Sequence, residues 1–272
     1  LLIEDSRLQP EVATIGDNCI DRYGPPISLS TVGGNALNVA VQLRRAGLHS
    51  AYFGAVGQDR DGQRTIEALV ENQVDVGGLR VLAGITAFTE LTSDASGDRI
   101  MGLEEFGVCR GYRPSDADFD RLTLMRHVHL GWLDDEGATK HRLVSLGISV
   151  SQDLAVNRGA TDLDIAFASA GPSRAEADRL CDEALAQGAR LVVVTMGALG
   201  SLASDGVNRA EMRAKPIAVL DTLGAGDTFI AGFLAARLAG FPVTACLAAG
   251  RDAAAETCTH FGGFPQQAEP FS

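Results

Sequence analysis

Asp221-Thr222-Leu223-Gly224-Ala225-Gly226-Asp227-Thr228-Phe229-Ile230-Ala231-Gly232-Phe233 is the most informative stretch of the chain. The apolar run Ile217–Leu220 before it reads as a strand, and Gly226–Leu238 reads as an Ala-rich helix. A strand, a turn of small residues and a helix, in that order, aim backbone N–H groups forward from a helix N-terminus. The aligned peptide dipoles favour an anion there. Small residues at Gly224, Ala225 and Gly226 let a ligand approach the backbone closely. Asp227 adds a carboxylate in the first helical turn. Such a group can take the proton of a hydroxyl as its oxygen attacks a phosphoryl group. Gly and Asp also open ordinary helices, so a plain N-cap is the alternative reading. The length of the string favours chemistry.

Outward from this stretch, apolar runs and helical patterns alternate. Val12–Ile15, Ala51–Val56, Val128–Trp132, Ile148–Gln152, Ile165–Ala168 and Leu191–Thr195 read as strands. Asn38–Ala46, Gln63–Asn72, Ala175–Gln187 and Val243–Thr259 read as helices, with Asp59 or Asp61 as cap of the second. The alternation predicts an α/β fold with a mostly parallel central sheet covered by helices on both faces. Two segments depart from it. Asp21–Thr31 contains Pro25-Pro26, and Thr86–Thr92 with Arg99–Leu103 flank a polar turn in the manner of a hairpin. They are expected to form a small β lid over a site at the strand ends, with surface loops as the alternative. The expected organisation is one domain over 11–264, with lid segments at about 18–33 and 86–104 inserted in it.

Composition narrows the functions. The chain has 272 residues, 46% hydrophobic and 21% charged, a globular balance that excludes a disordered protein. No apolar run approaches the length of a transmembrane helix, and no secretory leader is evident. A net charge of −12 argues against nucleic acid or an anionic membrane as partner. Five cysteines without a C-x-x-C pair read as reduced thiols, so a cytoplasmic location is expected. Lys140 and Lys215 are the only lysines, and neither lies in a glycine-rich loop. There is no P-loop and no dinucleotide fingerprint. A phosphate would therefore have to be met by backbone amides, an arginine and Mg²⁺.

A second motif, Gly33-Gly34-Asn35-Ala36-Leu37-Asn38-Val39-Ala40, runs into the first long helix. Asn35 and Asn38 offer donors and acceptors suited to a neutral polyol, and Gly33 and Gly34 leave room for a sugar. Asp17, after the first strand, adds a carboxylate able to accept from two adjacent hydroxyls. Turn chemistry and an N-cap would explain Asn35 and Asn38 equally well.

These two motifs, in this order, resemble the two signatures of the ribokinase-like (PfkB) carbohydrate kinase family. The likeness extends over roughly Val12 to Phe264. Ile15-Gly16-Asp17-Asn18-Cys19-Ile20-Asp21, Phe167-Ala168-Ser169-Ala170 and Phe229-Ile230-Ala231-Gly232-Phe233 are similar to the fructoselysine (fructosamine) 6-kinase branch. The resemblance implies a ribokinase-like three-layer α/β/α core with a β lid that often forms a homodimer contact. It implies ATP and Mg²⁺, with transfer of the γ-phosphate to a primary sugar hydroxyl. Asp227 then matches the general base, and Gly224, Ala225 and Gly226 the anion hole. Asp17, Gly33, Gly34, Asn35 and Asn38 match sugar-binding positions. Thr195, Gly197 and Gly200 match a nucleotide loop, where a plain β-turn is the alternative. Thr222 joins the nucleotide site, and Asp221 falls where some members bind a monovalent cation such as K⁺. One departure stands out. The family's N-x-x-E motif is replaced by Ser169-Ala170-Gly171-Pro172, which leaves the protein ligands of Mg²⁺ open.

Weaker candidates complete the reading. His127 and His129 share a strand face with a spacing that suits either a metal or a satisfied core. His129, before Gly131-Trp132, is a candidate for the sugar site, and Arg99 in the hairpin for a phosphate or substrate carboxylate. Asp153 ends a strand and faces either phosphates or a turn. The expected activity is phosphorylation of a fructosamine such as fructoselysine at its 6-hydroxyl. The alternatives are a kinase for fructose or 2-keto-3-deoxygluconate, or a catalytically silent sugar-binding protein.

Overall fold

A computed structural model describes residues 10–93 and 99–271. The chain enters through β1 (Val12–Ile15), which is wholly buried. It then leaves the core for β2 (Cys19–Tyr23) and β3 (Leu29–Gly33), and returns as α1 (Asn35–Arg45) and β4 (Ser50–Gly57). Next come α2 (Arg60–Glu71) and β5 (Asp75–Leu82). Asp59 caps α2 by accepting from the Gly62 amide at 2.7 Å, and its carboxylate also accepts from the Thr86 amide and hydroxyl at 2.7 and 2.6 Å. One cap thus ties α2 to the start of the second excursion, β6 (Phe88–Ser93) and β7 (Arg99–Glu105).

The second half continues the alternation: α3 (Asp116–Leu122), β8 (His127–Leu130), α4 (Ala138–Ser145), β9 (Val150–Asp153), β10 (Ile165–Ser169), α5 (Arg174–Ala186) and β11 (Val192–Thr195). An edge hairpin, β12 (Ser201–Ser204) and β13 (Arg209–Met212), precedes α6 (Ala225–Leu238), α7 (Val243–Thr257) and the short β14 (Glu269–Pro270). The central sheet runs β13-β12-β11-β10-β9-β8-β1-β4-β5 and is parallel from β11 to β5. The two excursions meet in a separate sheet, β14-β3-β2-β6-β7, the expected lid.

Alternation along the buried strands sends side chains to opposite faces. Ala13, Ile15, Val128 and Val150 pack with Phe119, Leu122, Leu143 and Cys181 of α3, α4 and α5. Val12, Phe167 and Val193 pack with Val39, Phe229, Phe233 and Leu247 of α1, α6 and α7. Small residues bring α6 and α7 together: a Cβ added at Gly232 would lie 2.9 Å from the Ala249 carbonyl oxygen.

Expected elements fall within a few residues of those observed, except one. Ile217–Leu220 is not a strand. Its Leu220 amide bonds to the Cys258 carbonyl at the end of α7, at 2.8 Å, and Val219 and Leu220 are more than half exposed. A four-residue apolar run carries no periodicity that separates a strand from an extended connection.

Candidate active site

The parallel strands all end on one edge of the sheet, the place where open α/β folds bind ligands. Asp17 follows β1, Gly131 follows β8 and Asp153 closes β9; β1, β8 and β9 are neighbours. The N-termini of α1 and α6 come to the same place. Asp17 meets the first: its carboxylate accepts from the amides of Asn35 at 3.0 Å, Ala36 at 3.3 Å and Trp132 at 3.1 Å. Gly34, the N-cap residue of α1, has no side chain for the task, and Asp17 supplies the missing acceptor from across the site. Burial pushes the Asp17 carboxyl above its usual range, against the opposing effect of these amides.

Asp227 occupies the first turn of α6, half-buried. Its Oδ1 accepts from Asn35 Nδ2 at 2.7 Å and its Oδ2 from Asn38 Nδ2 at 2.8 Å. Desolvation pushes its carboxyl well above the usual carboxylate range; the Asn38 hydrogen bond opposes this, and the charges of Asp153, Asp17 and Asp21 add to it. A carboxylate with raised basicity that keeps partial exposure is suited to accept a proton from an alcohol. The first N–H groups of α6 have no intrahelical acceptor and project beside it.

Gly224 holds this arrangement together. It adopts φ +74°, and its missing side chain lets the loop reach Gly263, whose Cα would be 2.3 Å from an added Cβ. Gly263 in turn leaves space for the Asn38 carboxamide, 2.4 Å from where its own Cβ would stand. By contrast nothing lies within 4 Å of a Cβ added at Gly226, or at Gly197 in the turn after β11. These two backbones border open space and can take the anionic groups of ATP, so the residues present fit a nucleotide. Among the described residues no group of three or more His, Cys, Asp or Glu forms a metal centre.

The other expected site residues divide. Ala225 lies in the α6 turn, and its amide bonds to the Thr222 carbonyl at 3.2 Å. Thr222 is exposed beside this turn, and half-buried Thr195 ends β11 on the same sheet edge as Asp153. Gly200 faces the edge hairpin, where a Cβ would meet the Met212 carbonyl at 2.0 Å. Gly33 and Gly34 make room for protein: the Asp21 carboxylate fills the space beside Gly33, and the Asn18 backbone that beside Gly34. Asp221 is buried, with Oδ2 accepting from the Tyr23 hydroxyl at 2.7 Å and the Gly262 amide at 3.1 Å, and Oδ1 from the Leu223 amide at 2.6 Å.

His129 does not join the site. It is fully buried on β8, bonded through Nδ1 to Ser151 Oγ at 2.9 Å and packed edge-on against Phe167. Strand alternation turns it toward the α6 core, and Trp132, three residues later, meets Asp17 instead. His127 bonds Ser149 and Ser151, whereas the buried Nε2 of His129 has no hydrogen-bond partner, so only the first of the two histidines is fully satisfied in the core. The side chain of Arg99 lies outside the described residues.

Residues without a signal in the sequence include Tyr23, Gly262, Gly263 and Phe106. The Phe106 ring stacks on Trp132 at 4.1 Å, and the backbone amide of Trp132 donates to Asp17. Two such residues far apart in sequence carry no common pattern to read.

The chain is similar to known proteins over most of its length. The family model described as pfkB family carbohydrate kinase matches residues 28–105 and 133–267. A Shigella flexneri protein named fructoselysine 6-kinase is 36% identical over 261 residues, 93% of this chain and 99% of its own. Fructosamine kinase FrlD of Bacillus subtilis (strain 168) is 30% identical over 264 residues, 93% of each chain. Among solved structures, Arabidopsis thaliana ribokinase complexed with ribose and ATP superimposes with a TM-score of 0.81 at 21% identity, covering 94% of both chains. A putative ribokinase II from E. coli, solved with ATP and Mg²⁺, gives 0.76 at 20% identity, covering 93% of this chain and 94% of that one. The chain therefore belongs to the pfkB family of carbohydrate kinases, enzymes that transfer a phosphoryl group to an alcohol acceptor.

Proposed function

We propose that the protein transfers the γ-phosphate of ATP to the 6-hydroxyl of a fructosamine, with fructoselysine as the first substrate to test. The observation that carries the chemistry is the Asp227 carboxylate, held at both oxygens by Asn35 and Asn38 at the N-terminus of α6. Identities of 36% and 30% to a fructoselysine 6-kinase and a fructosamine kinase, over nearly the whole chain, support the substrate class.

In this reading Asp17 holds the sugar hydroxyls and the β lid covers them, while Asn35, both of its amide hydrogens committed to Asp153 and Asp227, holds the base beside them. Asp227 takes the proton of the 6-hydroxyl as that oxygen forms its bond to the γ-phosphorus. The bond from the γ-phosphorus to the bridging oxygen breaks, and ADP leaves with the electron pair. The amides of Gly224 and Gly226 meet the transferring phosphoryl oxygens, while the Ala225 amide, bonded to the Thr222 carbonyl, shapes the turn that presents them. Thr195, Gly197 and Thr222 line the nucleotide side. Mg²⁺, carried on ATP, supplies charge neutralisation of the phosphates. Lid closure excludes water that would otherwise compete with the sugar.

The exposed Met101 and Leu103 on the edge strand β7 fit a lid-to-lid contact between two copies, checked by the mass of the protein in solution.

The test is coupled detection of ADP with fructoselysine, fructose and 2-keto-3-deoxygluconate at equal ATP. The highest kcat/KM on fructoselysine is expected. A preference for either simple substrate would replace the fructosamine assignment, and absence of sugar-dependent ADP with all three would overturn it.

A further inference from the structure

Asp153 at the end of β9 is a buried carboxylate that the transfer steps above leave unused. It is 8% exposed, and its Oδ1 accepts from the Ala155 amide at 2.8 Å, which fixes its orientation. Its Oδ2 accepts from Asn35 Nδ2 at 2.8 Å. The same nitrogen donates to Asp227 Oδ1 at 2.7 Å. A carboxamide nitrogen carries two hydrogens, so Asn35 spends its whole donor capacity on two carboxylates. Flipping the amide would set its oxygen against both of them. Its Oδ1 is buried and has no hydrogen-bond partner, so that atom is left unsatisfied in the orientation the two carboxylates impose.

We propose that Asp153 is a positioning residue for phosphoryl transfer: by locking the Asn35 carboxamide, it fixes the donor that aims the carboxylate of Asp227. The proposal rests on the reading of Asp227 as the base. Asp153 has a second, electrostatic effect on the same group. The acidic groups that act on Asp227 are Asp17 after β1, Asp21 on β2 and Asp153 on β9, and each favours its protonated form. Asp153 is itself pushed up by burial, with Asp17 adding to the effect. Removing the Asp153 charge should therefore make Asp227 a weaker base that stays ionised to lower pH.

Asp153→Ala, Asp153→Asn and Asp227→Asn are compared with the unaltered protein, using the best sugar and saturating ATP. Asp153→Ala should lower kcat by about 10- to 100-fold with little change in the KM for ATP, the scale of a misplaced catalytic group. Asp153→Asn keeps a single acceptor oxygen; turned to Asn35 at the cost of the Ala155 bond, it should restore part of the kcat lost in Asp153→Ala. Its acidic limb in the pH profile of kcat should move to lower pH. An Asp153→Ala effect confined to KM, or unchanged kcat in Asp153→Ala, would overturn the positioning role, and an Asp153→Asn profile with an unmoved acidic limb would overturn the electrostatic effect. If Asp153→Ala does not fold, Asp153→Leu, which also removes both acceptor oxygens, takes its place with the same loss of kcat expected. Near-normal turnover by Asp227→Asn would instead overturn the base assignment, a result read from a different variant.

Discussion

The hydroxyl of Tyr23, on the lid strand β2, donates to the buried carboxylate of Asp221 at 2.7 Å, joining the lid to the loop that enters α6. The Gly262 amide reaches both groups, at 3.2 Å to the hydroxyl and 3.1 Å to the carboxylate. The position of the turn before α6 therefore depends on the position of the lid. Tyr23→Phe removes one hydrogen bond to a charged acceptor and keeps the ring, which packs edge-on against Phe261. It should lower stability by about 1.5–3 kcal/mol, read from urea unfolding. It should also raise the sugar KM, because the lid and the turn lose their shared anchor.

Asp227→Asn should reduce kcat by about 10²–10⁴-fold, the range for removal of a well-placed base. The unaltered enzyme should lose activity on acidification at a higher pH than an ordinary carboxylate would dictate, because the Asp227 carboxyl is pushed up by burial and acidic neighbours. Stability follows the same sign. The folded state holds this proton more tightly than the unfolded chain, so ionisation of Asp227 costs stability as pH rises past the ordinary carboxylate range. A rate profile whose acidic limb stands at the ordinary carboxylate position would contradict the geometry.

Gly263→Ala tests the loop contact without touching a reacting group. The new methyl would stand 2.4 Å from the Asn38 carboxamide, which donates to Asp227 at 2.8 Å. Overpacking of this kind costs about 1–3 kcal/mol. Displacement of the Asn38 donor should lower kcat by roughly tenfold or more, on the scale of a misplaced catalytic group. Steady-state kinetics beside a thermal melt separate the two effects. Unchanged kcat in a destabilised protein would show that Asn38 does not hold the base.

The buried histidines make the fold acid-sensitive independently of the active site. Burial pushes His127 down to about 4 and His129 down to about 3. Unfolded, each binds a proton near its ordinary value of about 6.5. Between that value and the folded ones the unfolded chain holds more protons, so stability is complete above it and falls as pH drops through the window. The slope is about 1.4 kcal/mol per pH unit for each histidine at its steepest. Urea unfolding at a series of pH values should show this fall, and His127→Gln should flatten it.

Local chemistry determined much of this protein before any folding was considered. The run from Asp221 to Phe233 specifies a tight turn and a helix start, because glycine and alanine permit the turn and a carboxylate is favoured in the first helical turn. Apolar runs likewise mark β1, β4 and β11, a helical pattern marks α1, and Asp59 or Asp61 announces the start of α2, where Asp59 proves to be the cap. These are short-range properties that neighbouring residues decide among themselves. The short amphipathic elements β12, β13, α3 and α4 went unmarked, since their patterns are too brief to stand out. Long-range contact decided the rest. Strand alternation sent His129 into the core and brought the Trp132 amide to Asp17. Chain crossing placed Asp21 beside Gly33, and Tyr23 against Asp221. Above all, the bridge from Asp153 through Asn35 to Asp227 joins three residues on three different elements. Its existence depends on strand order and on the shared end of the parallel sheet, and neither is written in the residues near any one of the three.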